Sequence, residues 1–381
     1  MRSWACAMWC CLLVACAAAP LAERPSGLLD DRLFAAPSER IRADDVFALS
    51  DEMKRYLATD MAAQLRASGR QRGLIEALYN RRQLKLEYDS AATRNAAQAF
   101  EARAGNCLSL VIMTAAFATE LGLPVHYQSA FSDEVWSRSG DLFLRSSHVN
   151  LTLESRMMNV GTRHELGPMT IDFLPAAEIR GLRTRPISEA TVIAMYMNNR
   201  AAETLSQGRL DDAYGWVREA IIQDPSFMSA VNTLGVVYRR HGDLAHAEAA
   251  FRFVLAREPQ NTRAMANLAN ALGLLGRDAE AALLAGELAR IEPHPPFHYF
   301  DLGQRAMQRN DFAAARDLFA KEVERADYSH EFQFWLAVAN FKLGDLDQAQ
   351  KHLKLAIENS PGRRERDLYA AKLAWLRAHS Q

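Results

Sequence analysis

Cysteine is nearly missing from this sequence after its opening stretch. Of five cysteines in 381 residues, Cys6, Cys10, Cys11 and Cys16 crowd into the first sixteen positions, and Cys107 stands alone in the remainder. No disulfide framework can organise the body of the chain. An excess of charge of one sign is lacking as well: 45 basic residues face 46 acidic ones. That balance excludes a strongly basic nucleic-acid scaffold. Long apolar runs are also lacking. The run from Trp4 to Ala19 falls short of the about 20 residues that a spanning helix needs. At 49% apolar content the chain has the composition of a globular protein, and its length calls for more than one domain. Nothing in it calls for a cofactor or a metal.

What is present begins with a segment outside the fold. Met1-Arg2 supplies a positive start and the short apolar run follows, the pattern of a secretory signal. Leu13-Val14-Ala15-Cys16 resembles the bacterial lipobox, which implies a signal peptide over 1–16 and a lipid on Cys16. Cleavage after Ala19 or Ala22 is the alternative, with Pro20 unfavourably placed for both. The same resemblance implies outer-membrane anchoring facing the periplasm, because Ala17 stands where inner-membrane retention uses aspartate. The membrane is then touched through the lipid alone. Residues 17–40, with Pro20, Pro25 and Pro37, read as a tether. Loss of Cys6, Cys10 and Cys11 with the signal leaves Cys107 as a free thiol in an oxidising compartment.

Residues 41–187 read as one domain. The pattern is helical from Asp44 to Asn80, alternates briefly over Leu84–Tyr88, and is helical again from Thr93 to Arg103. Asn106 is placed to cap a long apolar helix that stops at Gly122. Cys107 then falls in its first turn, where unpaired N–H groups favour a thiolate. Strand segments follow at Val125–Phe131, Ser146–Glu154 and Met169–Leu174. By parity His148 and Asp172 both lie opposite the apolar faces of their strands, so pairing would bring imidazole and carboxylate together. His126 and His164 compete for the histidine role, but His164 sits in a turn-like Thr-Arg-His-Glu-Leu-Gly stretch. Asp141, after Gly140, reads as turn chemistry. Taken singly, Cys107 fits a small buried hydrophobe just as well.

Gly105-Asn106-Cys107-Leu108-Ser109-Leu110, Ser147-His148-Val149-Asn150 and Thr170-Ile171-Asp172-Phe173, in that order, resemble the transglutaminase-like core, a relative of the papain arrangement. The resemblance spans roughly 84–176 and implies an α+β domain with Cys107 as nucleophile, His148 as its base and Asp172 orienting the imidazole. Val149 and Asn150 depart from the aromatic and acidic residues that often follow the family's histidine, so the likeness is to the broad superfamily. The implied chemistry is a thioester formed at an amide or peptide carbonyl and resolved by an amine or by water. The oxyanion would need a donor beyond the Cys107 N–H, and Asn106, Gln98, Gln128 and Trp136 are the candidates. A cysteine peptidase or deamidase is the alternative within the enzyme class. Outside it, the alternative is a non-catalytic envelope scaffold acting through the C-terminal half.

That half is periodic. Pro225, Pro259, Pro293 and Pro361 fall on a 34-residue grid, with Asp327 in the missing place. Ala213, Ala247, Ala281, Ala315 and Ala349 share the grid, as do Leu234, Leu268, Leu302 and Leu336. Gly208, Gly242, Gly276 and Gly344 mark a turn, with Asn310 substituting once. Period and pattern are those of the tetratricopeptide repeat. Five repeats are assigned to 188–363 and a capping helix to 364–381, forming an all-α solenoid. A groove for a protein or peptide partner is expected from Asn198, Asn232, Arg239 and Arg240 at one end and Phe297, Phe300, Phe334 and Phe341 at the other. Packing against neighbouring repeats is the other reading of those phenylalanines.

Overall fold

A computed structural model describes residues 24–79, 84, 86–89, 92–139, 142–154, 167–173, 183–360 and 363–378. The lipobox with Cys16, the first part of the tether, Asp141 and His164 lie outside the described residues.

The N-terminal unit mixes helices with a small sheet. Ser50 caps α1 (Asp51–Ala58) by accepting from the Met53 N–H. In α2 (Ala62–Tyr79) the helix kinks at Gly69, whose φ of 77° suits glycine. A parallel pair, β1 (Glu87–Tyr88) and β2 (Ala104–Gly105), flanks α3 (Ala96–Ala102), which opens with an Asn95–Gln98 capping box. Next comes α4 (Cys107–Glu120), the apolar helix expected from the sequence. Its side chains are buried from Cys107 to Ala118, so it has no solvent face. Gly122 ends it in the left-handed region.

β3 (Val125–Ser139), β4 (Leu142–Leu153), β5 (Met169–Ile171) and β6 (Arg183–Ile187) form an antiparallel sheet in the order β5-β4-β3-β6. The long strands run beyond the segments read from sequence, with a register shift between Ala130 and Val135. The edge strand β6 was not foreseen. Arg183-Thr184-Arg185-Pro186-Ile187 is polar and contains proline, which a sheet tolerates at an edge. Val149, Leu151 and Leu153 are fully buried on the face of β4 toward α4.

From α5 onward the chain is a stack of antiparallel helix pairs: α5 (Glu189–Ser206) with α6 (Leu210–Gln223), α7 (Met228–His241) with α8 (Leu244–Arg257), α9 (Thr262–Leu274) with α10 (Asp278–Ile291), α11 (His298–Gln308) with α12 (Phe312–Arg325), and α13 (His330–Lys342) with α14 (Leu346–Glu358). α15 (Arg363–Ala378) covers the end. The periodic residues explain the stacking. Gly208, Gly242, Gly276, Asn310 and Gly344 all turn the chain at positive φ, between 60° and 100°. Ala213, Ala247, Ala315 and Ala349 are fully buried between helices. Two further small residues fit the same logic: a β-carbon on Gly235 would stand 2.5 Å from the Phe251 ring, and one on Gly303 2.6 Å from Phe319.

A single apolar core runs from Val46 through α4 and β4 to Leu272 in α9, so the N-terminal unit and the first repeats share one interior. α10 has no fully buried side chain, and separate cores begin at Phe297 and at Ala337. The stretch read as a tether is docked from residue 24 onward. Phe34 stacks on Tyr214 with ring centroids 4.0 Å apart, and Asp212 accepts from the Ser38 N–H and hydroxyl at 2.6 and 2.8 Å. The Tyr238 hydroxyl donates to Leu28 C=O at 2.8 Å and accepts from the Asp30 N–H at 2.9 Å. Prolines suggested a spacer, but Leu28, Leu33, Phe34 and Ile41 give this segment apolar surface to bury.

Candidate thiol site and the repeat array

Cys107 lies at the first position of α4, and the residues around it explain the motif. Asn106 Oδ1 accepts from the Ser109 N–H at 2.9 Å and the Ser109 hydroxyl at 2.8 Å, capping the helix. Gly105 must be glycine, since a β-carbon there would stand 2.7 Å from Ser109 Cβ. The first intrahelical bond runs from the Leu110 N–H to the Asn106 carbonyl. The Cys107 amide therefore precedes the helical ladder, where N–H groups are free of intrahelical partners.

His148 on β4 and Asp172, one residue past β5, are brought together across adjacent strands. His148 Nε2 and Asp172 Oδ1 are 2.6 Å apart, and both side chains are buried. Leu151 pairs with Ile171, so Asp172 continues the register opposite Asn150 and diagonal to His148. Asn150 Nδ2 donates to Asp172 Oδ2 at 3.0 Å, fixing the second carboxylate oxygen. With Nε2 held by Asp172, the rest of the imidazole is free of that carboxylate, and Cys107 is close enough to act on the titration of His148. Burial pushes the imidazole toward its neutral form. The hydrogen bond and negative charge of Asp172, together with the neighbouring Cys107, outweigh it, and the His148 pKa rises to about 9. Cys107 is 9% exposed, a sliver of surface in an otherwise covered site.

The oxyanion candidates are placed differently from one another. Asn106 is committed to the cap, its amide donating to Thr93 Oγ1 at 3.0 Å. Gln98 serves the α3 capping box and lines a cleft of about 480 Å³ with Thr93, Arg94, Glu101 and Arg200, which none of Cys107, His148 and Asp172 lines. Gln128, opposite Asn150 on β3, donates to Thr152 Oγ1 at 3.2 Å. Trp136 lies in β3 opposite Arg145, and its side chain is outside the described residues. The competing His126 pairs with Glu154 at 3.1 Å on an exposed strand end. Asn150 and Thr93 were not anticipated. Asn150 carried a signal, since it sits two residues from His148 on the same strand face. Among the described residues no group of three or more His, Cys, Asp or Glu could hold a metal ion, and no helix is long and apolar enough to cross a membrane.

In the array the polar and aromatic ends also differ. Asn232 accepts from Asn267 Nδ2 at 3.1 Å and Arg239 donates to Asn270 at 2.9 Å, linking α7 to α9. Asn198 is half-buried on α5, and Arg240 closes the last turn of α7. Phe297 and Phe300 belong to the core around Phe319 and Phe332. Phe334 stacks on Tyr369 at 4.9 Å, and Phe341 meets Trp375 edge-on. Phe297 and Phe300 are thus buried among repeats and Phe334 packs on α15, while Phe341 and Trp375 meet on an exposed surface.

Residues 232–295 and 300–364 match the tetratricopeptide repeat family. The C-terminal region is a tetratricopeptide-repeat solenoid. Similar solved structures include a pilF protein of Pseudomonas aeruginosa, 21% identical over 48% of this chain and 83% of that one, with a TM-score of 0.29. The thermophilic repeat protein TTC0263 of Thermus thermophilus is 19% identical over 48% and 99%, with a TM-score of 0.30. YrrB, described as a repeat protein with an unusual peptide-binding site, is 20% identical over 47% and 92%, with a TM-score of 0.25.

Proposed function

We propose that this chain is first a protein-interaction scaffold whose tetratricopeptide repeats hold a protein or peptide segment. The observation that carries this is the repeat pattern, realised as stacked helix pairs with Asn198, Asn232, Asn267, Arg239 and Asn270 on successive first helices. Stacked repeats form extended binding surfaces that suit such a ligand. A photo-crosslinking residue at Asn267 should capture a partner, whereas one at Arg252 on α8 should not. Equal capture at both would remove this reading.

A second reading is favoured by the Cys107–His148–Asp172 arrangement: the N-terminal unit acts as a thiol acyl-transfer site of the transglutaminase-like kind. In this reading the Cys107 thiol gives up its proton as it reacts, and His148 beside it carries the proton that the leaving group needs. The sulfur attacks an amide carbonyl carbon, and the Cys107 N–H at the helix start is a candidate donor for the oxyanion. His148 gives its proton to the departing amine, the C–N bond breaks, and a thioester remains on Cys107. An amine or water then adds to the thioester, returning the proton to the imidazole and releasing the thiolate. Asp172 keeps the ring oriented throughout. The same acyl-enzyme serves transfer, deamidation and proteolysis, which the incoming nucleophile and the substrate bond distinguish. We also propose that Cys16 carries a lipid that places the protein at the outer membrane facing the periplasm. Metabolic fatty-acid labelling lost in Cys16→Ala would support it, and labelling that persists would refute it.

A further inference from the structure

The thiol helix is wired to the repeat array through a short buried segment. Thr93, 3% exposed, sits between α4 and α5. Its backbone N–H donates to Glu203 Oε1 on α5 at 2.7 Å, and its hydroxyl accepts from Asn106 Nδ2 at 3.0 Å. The next residue, Arg94, donates its N–H to the Ser109 hydroxyl at 2.8 Å, and Ser109 in turn donates to Asn106 Oδ1. Both polar atoms of the Asn106 amide are therefore engaged, and the orientation of this cap depends on where residues 93 and 94 lie. Glu203 is itself held by Arg200 at 2.9 Å, and Arg200 reaches Glu39 of the docked N-terminal segment, which also accepts from Trp216 Nε1.

Resting on the thiol reading above, we propose that Glu203, a residue of the first repeat, is a positioning residue for Cys107, acting through Thr93 and Asn106. A carboxylate is suited to the task because a buried N–H without an acceptor is costly, so Thr93 follows Glu203 wherever α5 carries it. The cap in turn fixes the first turn of α4 and the direction of its free N–H groups, which set the field at the thiol. The shared core between this unit and the first repeats transmits α5 displacements as rigid shifts rather than absorbing them. The thiol site is thereby sensitive to the state of the array.

The test uses the full chain. Iodoacetamide alkylation of Cys107 is followed from pH 5 to 9, and hydrogen exchange is followed over Asn106–Leu110. Glu203→Leu should slow alkylation at pH 7 about tenfold, change the shape of the pH profile, and raise exchange in the first turn of α4. Glu203→Gln, which keeps an acceptor, should restore both. Thr93→Val, which breaks the same relay from the other side without touching the repeats, should reproduce the Glu203→Leu effects. Wild-type rate, profile and exchange in both Glu203→Leu and Thr93→Val would overturn the proposal. His148→Ala separates the two claims. If it leaves the wild-type profile unmoved, the thiol reading fails, and the exchange data alone decide whether Glu203 positions the helix.

Discussion

Asp172 meets His148 diagonally across two antiparallel strands, carboxylate to imidazole at 2.6 Å, with Asn150 fixing the carboxylate from the same strand as the histidine. Asp172 thereby both orients the ring and stabilises its charged form, and these two effects can be separated by substitution.

Asp172→Asn keeps the shape and removes the charge. On the thiol reading, alkylation of Cys107 at pH 7 is expected to fall by about tenfold or more, because His148 loses the carboxylate that orients it and favours its charged form. The circular dichroism spectrum should stay that of the wild type.

The raised pKa of His148 sets two pH effects. In the unfolded chain this group titrates near 6.5, and in the folded protein at about 9. Its stabilising contribution is fully present below the lower value and is lost as pH rises through the upper one, at up to about 1.4 kcal/mol per unit. Melting temperature should therefore decline between pH 6.5 and 9 more steeply in wild type than in His148→Gln. On the thiol reading, acylation by an amide substrate should also fall as pH rises through about 9, since a neutral imidazole has no proton for the leaving amine. Iodoacetamide alkylation, which needs no such proton, should lack that alkaline limb.

The sheet pairing that builds this site was legible because a parity argument needs only period-two side chains, and His148 and Asp172 fell on the faces it specified. The helix carrying Cys107 was legible from its cap and its stop. The docked segment over residues 24–45 was not, because local composition reports prolines while the surface they pack on, around Tyr214 and Tyr238, comes nearly 200 residues later. Thr93 was invisible for the same reason: its two partners, Asn106 and Glu203, lie on different helices. In the repeats, turn glycines and buried alanines were set by local backbone and close packing, hence readable. Whether Phe297 and Phe334 face a groove or a neighbour depends on how repeats stack, which the period does not specify.

The interruption of the core at α10 predicts that the first core unfolds in a transition separate from the cores beyond it. Gly235→Ala crowds Phe251 in the first core and Gly303→Ala crowds Phe319 in the second. Each should cost about 1–3 kcal/mol and lower only its own transition in calorimetry or denaturant melts followed by local fluorescence probes.

The N-terminal segment is expected to protect the array. Phe34→Ala removes the ring stacked on Tyr214 and should destabilise the docked segment by about 1–3 kcal/mol. Limited proteolysis should then cut within residues 24–45 at protease concentrations that leave the wild type intact.

The proposal of a thiol acyl-transfer site carried by a repeat scaffold is tested most directly by mass spectrometry of a glutamine-containing peptide incubated with the full chain and a primary amine. The account predicts a peptide mass change: the amine added for transfer, a gain of about one dalton for deamidation, or fragments for proteolysis, each abolished in Cys107→Ala. An unchanged peptide, with partner crosslinking through Asn267 intact, would contradict the thiol chemistry and leave the protein as a scaffold alone.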